Sequence, residues 1–276
     1  MDGARLAVTI RSSRLRILIW KWVVRSANPE RLNAALLPKK SLQATRTRAI
    51  GSHSSTTDGC FLTQKIFMLG GVDITSGQAF ASDRLWITEA SDGPVCVVDL
   101  TSRDLASRSR FRGILSDYFA LLTTKDVIFV SEMRSMAEIG TSLSSAGAVY
   151  IPGGDTEALL DDLFQRDLAP LLRSVTCVVA GNSAGAVALC RNAVLTTDHR
   201  IKTPTVRLGL GMVDFSIDPH YDSSHDDELI SMSENVEIFG LPEESVIVQA
   251  KDGSTEFHGP AWRFLDGRKE MVSSSA

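Results

Sequence analysis

The residues best suited to chemistry lie in one run, Val178-Val179-Ala180-Gly181-Asn182-Ser183-Ala184-Gly185-Ala186. A β-branched apolar stretch ends in Gly-x-Ser-x-Gly and passes directly into Ala-Val-Ala-Leu-Cys, a good helix former. That pattern predicts a nucleophile elbow, a serine on a tight strand-to-helix turn. Gly181 and Gly185 suit the point where the two backbones nearly touch. The turn would hold the Ser183 hydroxyl clear of the sheet at the positive end of the helix. It would also leave the Ala184 N–H free to face a developing oxyanion. A Gly/Ser turn with no chemistry has the same five-residue form, so the surrounding elements must decide.

A serine nucleophile needs a base and a carboxylate to orient that base. The chain offers five histidines. His53 lies in a polar, loop-like stretch, and His258 ends a C-terminal hairpin. His199 follows Asp198 in a polar turn, and His225 precedes Asp226-Asp227-Glu228; both read as solvated surface. His220 stands apart because Pro219 fixes the backbone before it and a preceding strand would deliver it to a sheet edge.

The elements that must position these groups alternate. Apolar strand-like runs fall at residues 66–69, 94–100, 126–130 and 148–152, and helical spacing at 107–122, 133–143 and 156–164, the last with Asp155 as N-cap. Continuous apolar strands between helices imply a parallel sheet covered on both faces. Ligands bind such sheets at the carboxyl ends of the strands. The Gly153-Gly154-Asp155 turn and the Ser183 elbow both fall at such ends, on consecutive strands. Further on, residues 193–197 read as a strand ending in Asp198-His199-Arg200, and 245–250 with 255–258 as a hairpin.

Composition sets the outer limits. The chain has 276 residues, 43% hydrophobic and 22% charged, as an ordinary globular protein does. A net charge of −4 gives no reason to expect nucleic acid as a partner. Its distribution is uneven: eleven basic against three acidic residues between Met1 and Asp58, a surplus of eight. Residues 1–62 therefore read as a basic N-terminal extension expected to be disordered, with residues 63–276 as the folded unit. The alternative reading of the leader is an organelle transit peptide; otherwise a cytoplasmic location is expected. Cys60, Cys96, Cys177 and Cys190 are widely spaced with no CxxC, which argues against a zinc site or disulfide framework and for a reducing compartment. The apolar run at residues 17–20 is far short of the ~20 residues that span a bilayer. No metal or cofactor is expected. The expected partners are a small peptide and at most a second copy of the chain, with no membrane.

Four segments occur together in a telling order: Tyr150-Ile151-Pro152-Gly153-Gly154-Asp155-Thr156, Gly181-Asn182-Ser183-Ala184-Gly185-Ala186, Ile217-Asp218-Pro219-His220-Tyr221 and Gly240-Leu241-Pro242-Glu243. In this the chain resembles the S51 serine peptidases, the group of aspartyl dipeptidase (peptidase E) and, more distantly, cyanophycinase. The resemblance runs from about Lys65 to Trp262. It implies an α/β, flavodoxin-like fold of the class I glutamine amidotransferase type, with a mostly parallel sheet and helices on both faces. It further implies Ser183 as nucleophile, His220 as general base and Glu243 as the third member, with Asp198 as the competing acid. The oxyanion donors would be N–H groups of Gly153, Gly154, Asp155 and Ala184. The implied activity is hydrolysis of a small peptide or isopeptide-like amide through an acyl-enzyme.

One departure bears on specificity. The segment after His220 is short and acidic (Asp222, Asp226, Asp227, Glu228), where peptidase E carries cations for an aspartyl substrate. It is expected beside the pocket mouth, and selection of an N-terminal Asp is not expected. Arg191, Arg200 and Lys202 are the cations that could reverse this. Two other readings are a non-catalytic flavodoxin-like binding protein that keeps the elbow as architecture, and an α/β-hydrolase esterase. In the esterases the acid precedes the histidine, whereas Glu243 follows His220.

Overall fold

The structure is a computed structural model that describes residues 64–133, 135–198 and 201–273. The basic leader, with His53 and Cys60, lies outside the described residues, as do His199 and Arg200.

Five short strands form the parallel heart of the molecule: β1 (Ile66–Leu69), β2 (Val95–Val97), β3 (Val127–Phe129), β4 (Ala148–Ile151) and β5 (Val178–Asn182). β1, β2, β4 and β5 are buried along their whole length, which is why their sequences run apolar without alternation. The side chains still sort by parity. Ile66 and Met68 join one core, and Phe67 and Leu69 the other, because successive Cβ atoms leave opposite faces. Helices α1 (Phe80–Ile87) and α2 (Leu105–Leu122) cover the second face. Helices α3 (Met136–Ser144), α4 (Thr156–Gln165), α5 (Ala169–Ser174) and α6 (Ala184–Leu189) cover the first. The expected α/β, flavodoxin-like architecture is therefore present. As expected, the Asp155 carboxylate caps α4, accepting from the Ala158 N–H at 2.9 Å.

After α6 the chain makes a hairpin, β6 (Asn192–Leu195) with β7 (Thr205–Leu208). It then enters β8 (Ser216–Pro219), helix α7 (Asp226–Met232) and β9 (Ile238–Leu241). Strands β10 (Val246–Gln249) and β11 (Thr255–His258) form the expected antiparallel pair. Strands β12 (Ala261–Leu265) and β13 (Arg268–Ser273) close the described chain. The central sheet is ordered β11-β10-β1-β5-β4-β2-β3, and a second, four-stranded sheet is ordered β13-β12-β9-β8. This second sheet is absent from the sequence reading. His220 leaves its edge strand β8 rather than the edge of the main sheet. Its own small core is Val194, Tyr221, Leu229, Ile238 and Phe264. Among the described residues no helix is long and apolar enough to cross a membrane.

Candidate active site

The elbow is built as its sequence requires. β5 ends at Asn182, and Ser183 takes φ 50° and ψ −114° before α6 begins at Ala184. A non-glycine residue in that region is strained and persists only where neighbours hold it. Here the Ser183 N–H donates to the Leu69 carbonyl at 3.1 Å, and the Ser183 carbonyl accepts from Val187 at 3.0 Å. A Cβ on Gly185 would collide with the Ile151 carbonyl of β4, and one on Gly181 with the Gly185 backbone. The two glycines let α6 lie against β4 and β5 at backbone contact.

The second half of the site hangs from the second sheet. His220 follows β8 in a left-handed conformation, φ 53°, and its N–H donates to the Gly70 carbonyl at 2.6 Å. Its ring occupies the space a side chain on Gly71 would need, and Gly71 itself has φ +102°. From there Nε2 lies 2.9 Å from Ser183 Oγ, and Nδ1 lies 3.1 Å from Glu243 Oε1. Glu243 stands two residues beyond β9, after Pro242. An ionised carboxylate only accepts, so Nδ1 must be the donor to Glu243. In a neutral ring that leaves Nε2 as acceptor for the serine hydroxyl. The arrangement can therefore take a proton from Ser183 and stabilise the resulting imidazolium. The histidine and glutamate side chains are 48% and 61% exposed, so substrate can reach them. Asp198, the competing acid, is exposed and closes its own turn, accepting from the Ile201 N–H at 2.6 Å. The carboxylate at the imidazole is that of Glu243.

Ser183, His220 and Glu243 open into a cavity of about 300 Å³ walled by Asp73, Phe111, Tyr150 and the Gly153-Gly154 turn. Phe111 and Gly153-Gly154 also border a second cavity of about 300 Å³ that holds Arg108 and Asp155. A Cβ on Gly153 would stand 3.2 Å from the Ser183 Cβ, so this turn lies close against the serine. Among the described residues the N–H groups of Gly153, Gly154 and Ala184 have no backbone partner, while that of Asp155 is donated to the Thr101 carbonyl at 2.9 Å. Asp155 is thus removed from the expected oxyanion donors, because its N–H is spent on the loop before α2 and its carboxylate on the cap of α4.

The acidic segment is also corrected. None of Asp222, Asp226, Asp227 or Glu228 walls the serine cavity. Asp222 caps a 3-10 turn at Ser223–His225. Asp226 binds Lys269 at 2.7 Å, and Glu228 accepts from the Thr197 N–H at 2.7 Å. Besides Glu243, the acid that lines the cavity is Asp73, whose Oδ1 accepts from the Thr75 N–H at 2.8 Å and hydroxyl at 2.7 Å. Arg191 pairs with Asp214 at 2.6 Å, and neither it nor Lys202 lines either cavity.

His225 is not the solvated residue its neighbours suggest. Its Nδ1 lies 2.7 Å from Oδ2 of Asp218, and the two side chains are only 24% and 2% exposed. His258 is buried against the central sheet with Nδ1 unpartnered, and burial holds its pKa down. The sequence reading missed the cavity walls Asp73 and Phe111. It also missed a buried polar cluster behind Tyr150. There Trp86 stacks on Tyr150 at 5.3 Å and donates from Nε1 to Asp83 at 2.8 Å, while the Tyr118 hydroxyl donates to the same carboxylate. Burial pushes Asp83 up to about 6. Among the described residues no group of three or more His, Cys, Asp or Glu is placed to hold a metal ion.

Fold and site together define an α/β protein with a flavodoxin-like core and a serine-histidine-carboxylate arrangement at the carboxyl ends of its strands. Residues 116–256, just over half of the chain, match peptidase family S51. The chain belongs to that family, one of serine peptidases. Two solved structures share the fold. A peptidase from an acI-B1 Actinobacterium is similar at a TM-score of 0.59 and 14% identity, over 77% of this chain and 95% of that one. A candidate peptidase E from Listeria monocytogenes EGD-e is similar at 0.50 and 18%, over 76% of this chain and 99% of that one. No curated protein sequence matches.

Proposed function

We propose that the chain is a serine peptidase that cleaves a small peptide or isopeptide-like amide through an acyl-enzyme, with Ser183 as nucleophile, His220 as base and Glu243 as orienting acid. The observation that carries this is the continuous hydrogen-bonded line from Ser183 Oγ through His220 to Glu243, at 2.9 and 3.1 Å. Ser183 Oγ attacks the substrate carbonyl while its proton passes to His220 Nε2. The oxyanion is met by N–H groups of Gly153, Gly154 and Ala184, each such donor contributing ~10²–10³ in kcat. His220 then protonates the departing amine, leaving an ester on Ser183. A water molecule, deprotonated by His220, hydrolyses that ester and returns the free enzyme. The catalytic unit in this reading is residues 63–276, with residues 1–62 outside it.

A cavity of about 300 Å³ is at the small end of ligand sites (~300–1,000 Å³), which favours a short substrate. The Asp73 carboxylate in its wall suits a free amino group or a basic side chain and opposes an acidic one. The reading is tested with a fluorophosphonate probe. Ser183 should be the labelled residue, and Ser183→Ala should lose about 10⁶ in kcat while remaining folded. Near wild-type turnover by Ser183→Ala would sink the mechanism. In a dipeptide panel, Asp-Xaa substrates should be cleaved no better than neutral or basic ones. Asp73→Asn should narrow the advantage of the basic ones, and a clear Asp-Xaa preference would refute the assignment of Asp73.

A further inference from the structure

We propose that Asp218 and His225 are a positioning pair for His220, closing the loop that carries it so that the imidazole is held over Ser183. The inference rests on the reading of His220 as base.

Asp218 lies on β8, where its backbone pairs with Gly240 of β9. It is 1% exposed, and a buried carboxylate demands partners. It has two: the Thr196 hydroxyl donates to Oδ1 at 2.8 Å, and His225 Nδ1 meets Oδ2 at 2.7 Å. Between Asp218 and His225 the chain leaves β8, passes through His220 and turns back at Ser223–His225. The side-chain bridge therefore closes a short covalent loop into a ring, with His220 inside it. A ring of so few residues has little freedom left.

His220 needs such a constraint. Its φ of 53° is uncommon for a non-glycine residue, and a conformation of this kind survives only when its surroundings over-determine it. The ring adds to the bond from its N–H to Gly70 and to the Tyr221 N–H on Leu241 at 3.1 Å. Tyr221 is pinned in turn, its hydroxyl donating to Asp226 at 2.5 Å. Misplacing a base by ~1 Å costs about 10² in rate.

The charges facing His225 are carboxylates from every side: Asp218 on β8, Asp222 in the loop and Glu228 on α7. The hydrogen bond to Asp218, and then these charges, hold its pKa above the ordinary histidine range against the opposing effect of partial burial. The clamp therefore stays an ion pair to a higher pH than a free histidine would allow, and above that it is a neutral hydrogen bond.

The test uses the full chain with His225→Ala, His225→Asn (whose amide can stand where Nδ1 stands) and Ser183→Ala as control. Turnover is followed on the best-cleaved dipeptide of the panel, with fluorophosphonate labelling rates and thermal midpoints alongside. His225→Ala should lower kcat and the labelling rate about 10- to 100-fold, with KM changed less than about twofold, at a temperature where it is folded. His225→Asn should recover most of the loss. A folded His225→Ala with wild-type kcat, or a loss that follows only the folded fraction, would overturn the proposal. Should His225→Ala not fold, pH profiles decide. Wild-type kcat should fall on the alkaline side as His225 loses its proton, and His225→Asn should lack that limb; identical profiles overturn the pair. Full activity in Ser183→Ala would instead overturn the mechanism, a separate failure.

Discussion

Two histidine–carboxylate pairs stand on one short stretch of chain, and their surroundings differ sharply. In His220–Glu243 the side chains are 48% and 61% exposed and 3.1 Å apart; in His225–Asp218 they are 24% and 2% exposed and 2.7 Å apart. The exposed pair faces a cavity and water, where an ion pair contributes little to stability. Its histidine is accessible on the other nitrogen. The buried pair has an acid that is satisfied only by its two donors, so breaking it is costly. Chemically equal partners thus serve opposite purposes. Exposure leaves a proton carrier free to exchange, and burial makes a fastener.

The largest effect that tests this contrast is in kcat. Glu243→Gln should cost about 10⁴, as loss of a histidine-orienting carboxylate does elsewhere, while Asp198→Asn should change kcat by no more than a few-fold. The reverse ranking would transfer the orienting role to Asp198. In stability the ranking should invert. His225→Ala strands a buried carboxylate and should lower stability by roughly 1–3 kcal/mol, less than the ~3–5 for a fully buried pair. For a domain of this size that is roughly 2–12 °C in Tm. Glu243→Ala should leave Tm within about 2 °C, and a larger drop would show that the exposed pair is a fastener too. The smallest effect is its pH dependence. The folded pKa of His225 is raised, so the charged contribution is fully present below the unfolded value near 6.5. It is lost as pH rises through the folded value. The Tm gap between wild type and His225→Asn should therefore narrow as pH rises above about 6.5. A constant gap would mean the pair stabilises by hydrogen bonding alone.

The strands at Ile66–Leu69, Ala148–Ile151 and Val178–Asn182 were legible because burial on both faces leaves an unbroken apolar run, and the elbow because its glycines are imposed by backbone contact. Helix α1 was hidden. Its inward residues include Ser82 and Asp83, and a buried acid held by Trp86 and Tyr118 breaks the apolar period that marks a helix. β12 and β13 mix Arg263, Lys269 and Glu270 into strands that are half-buried in β12 and largely exposed in β13. Their turn at Asp266-Gly267, with φ of 52° and 67°, carried the Asp-Gly hairpin signal that could have found them. The acid that meets His220 was legible only through resemblance, since Glu243 and Asp198 are equally polar loop residues in sequence. The His225–Asp218 contact was illegible for a plainer reason: nothing local tells that a chain reversal buries one acid and not its neighbours.

Ser183 belongs to the central sheet, whereas His220 and Glu243 belong to the second. The line where they meet runs along Gly70, against the Leu241 and Pro242 carbonyls, and Gly71, against the His220 ring. Each half alone is chemically mute, a hydroxyl without a base and a base without a hydroxyl. On the proposed mechanism, turnover therefore works as a coincidence detector for the docking of the two sheets. Regions of a protein open at different free energies, so a local opening at this seam would part base from hydroxyl while both cores persist. On heating, catalytic silence should arrive while most of the helical signal persists, so that activity serves as the more sensitive thermometer of the seam.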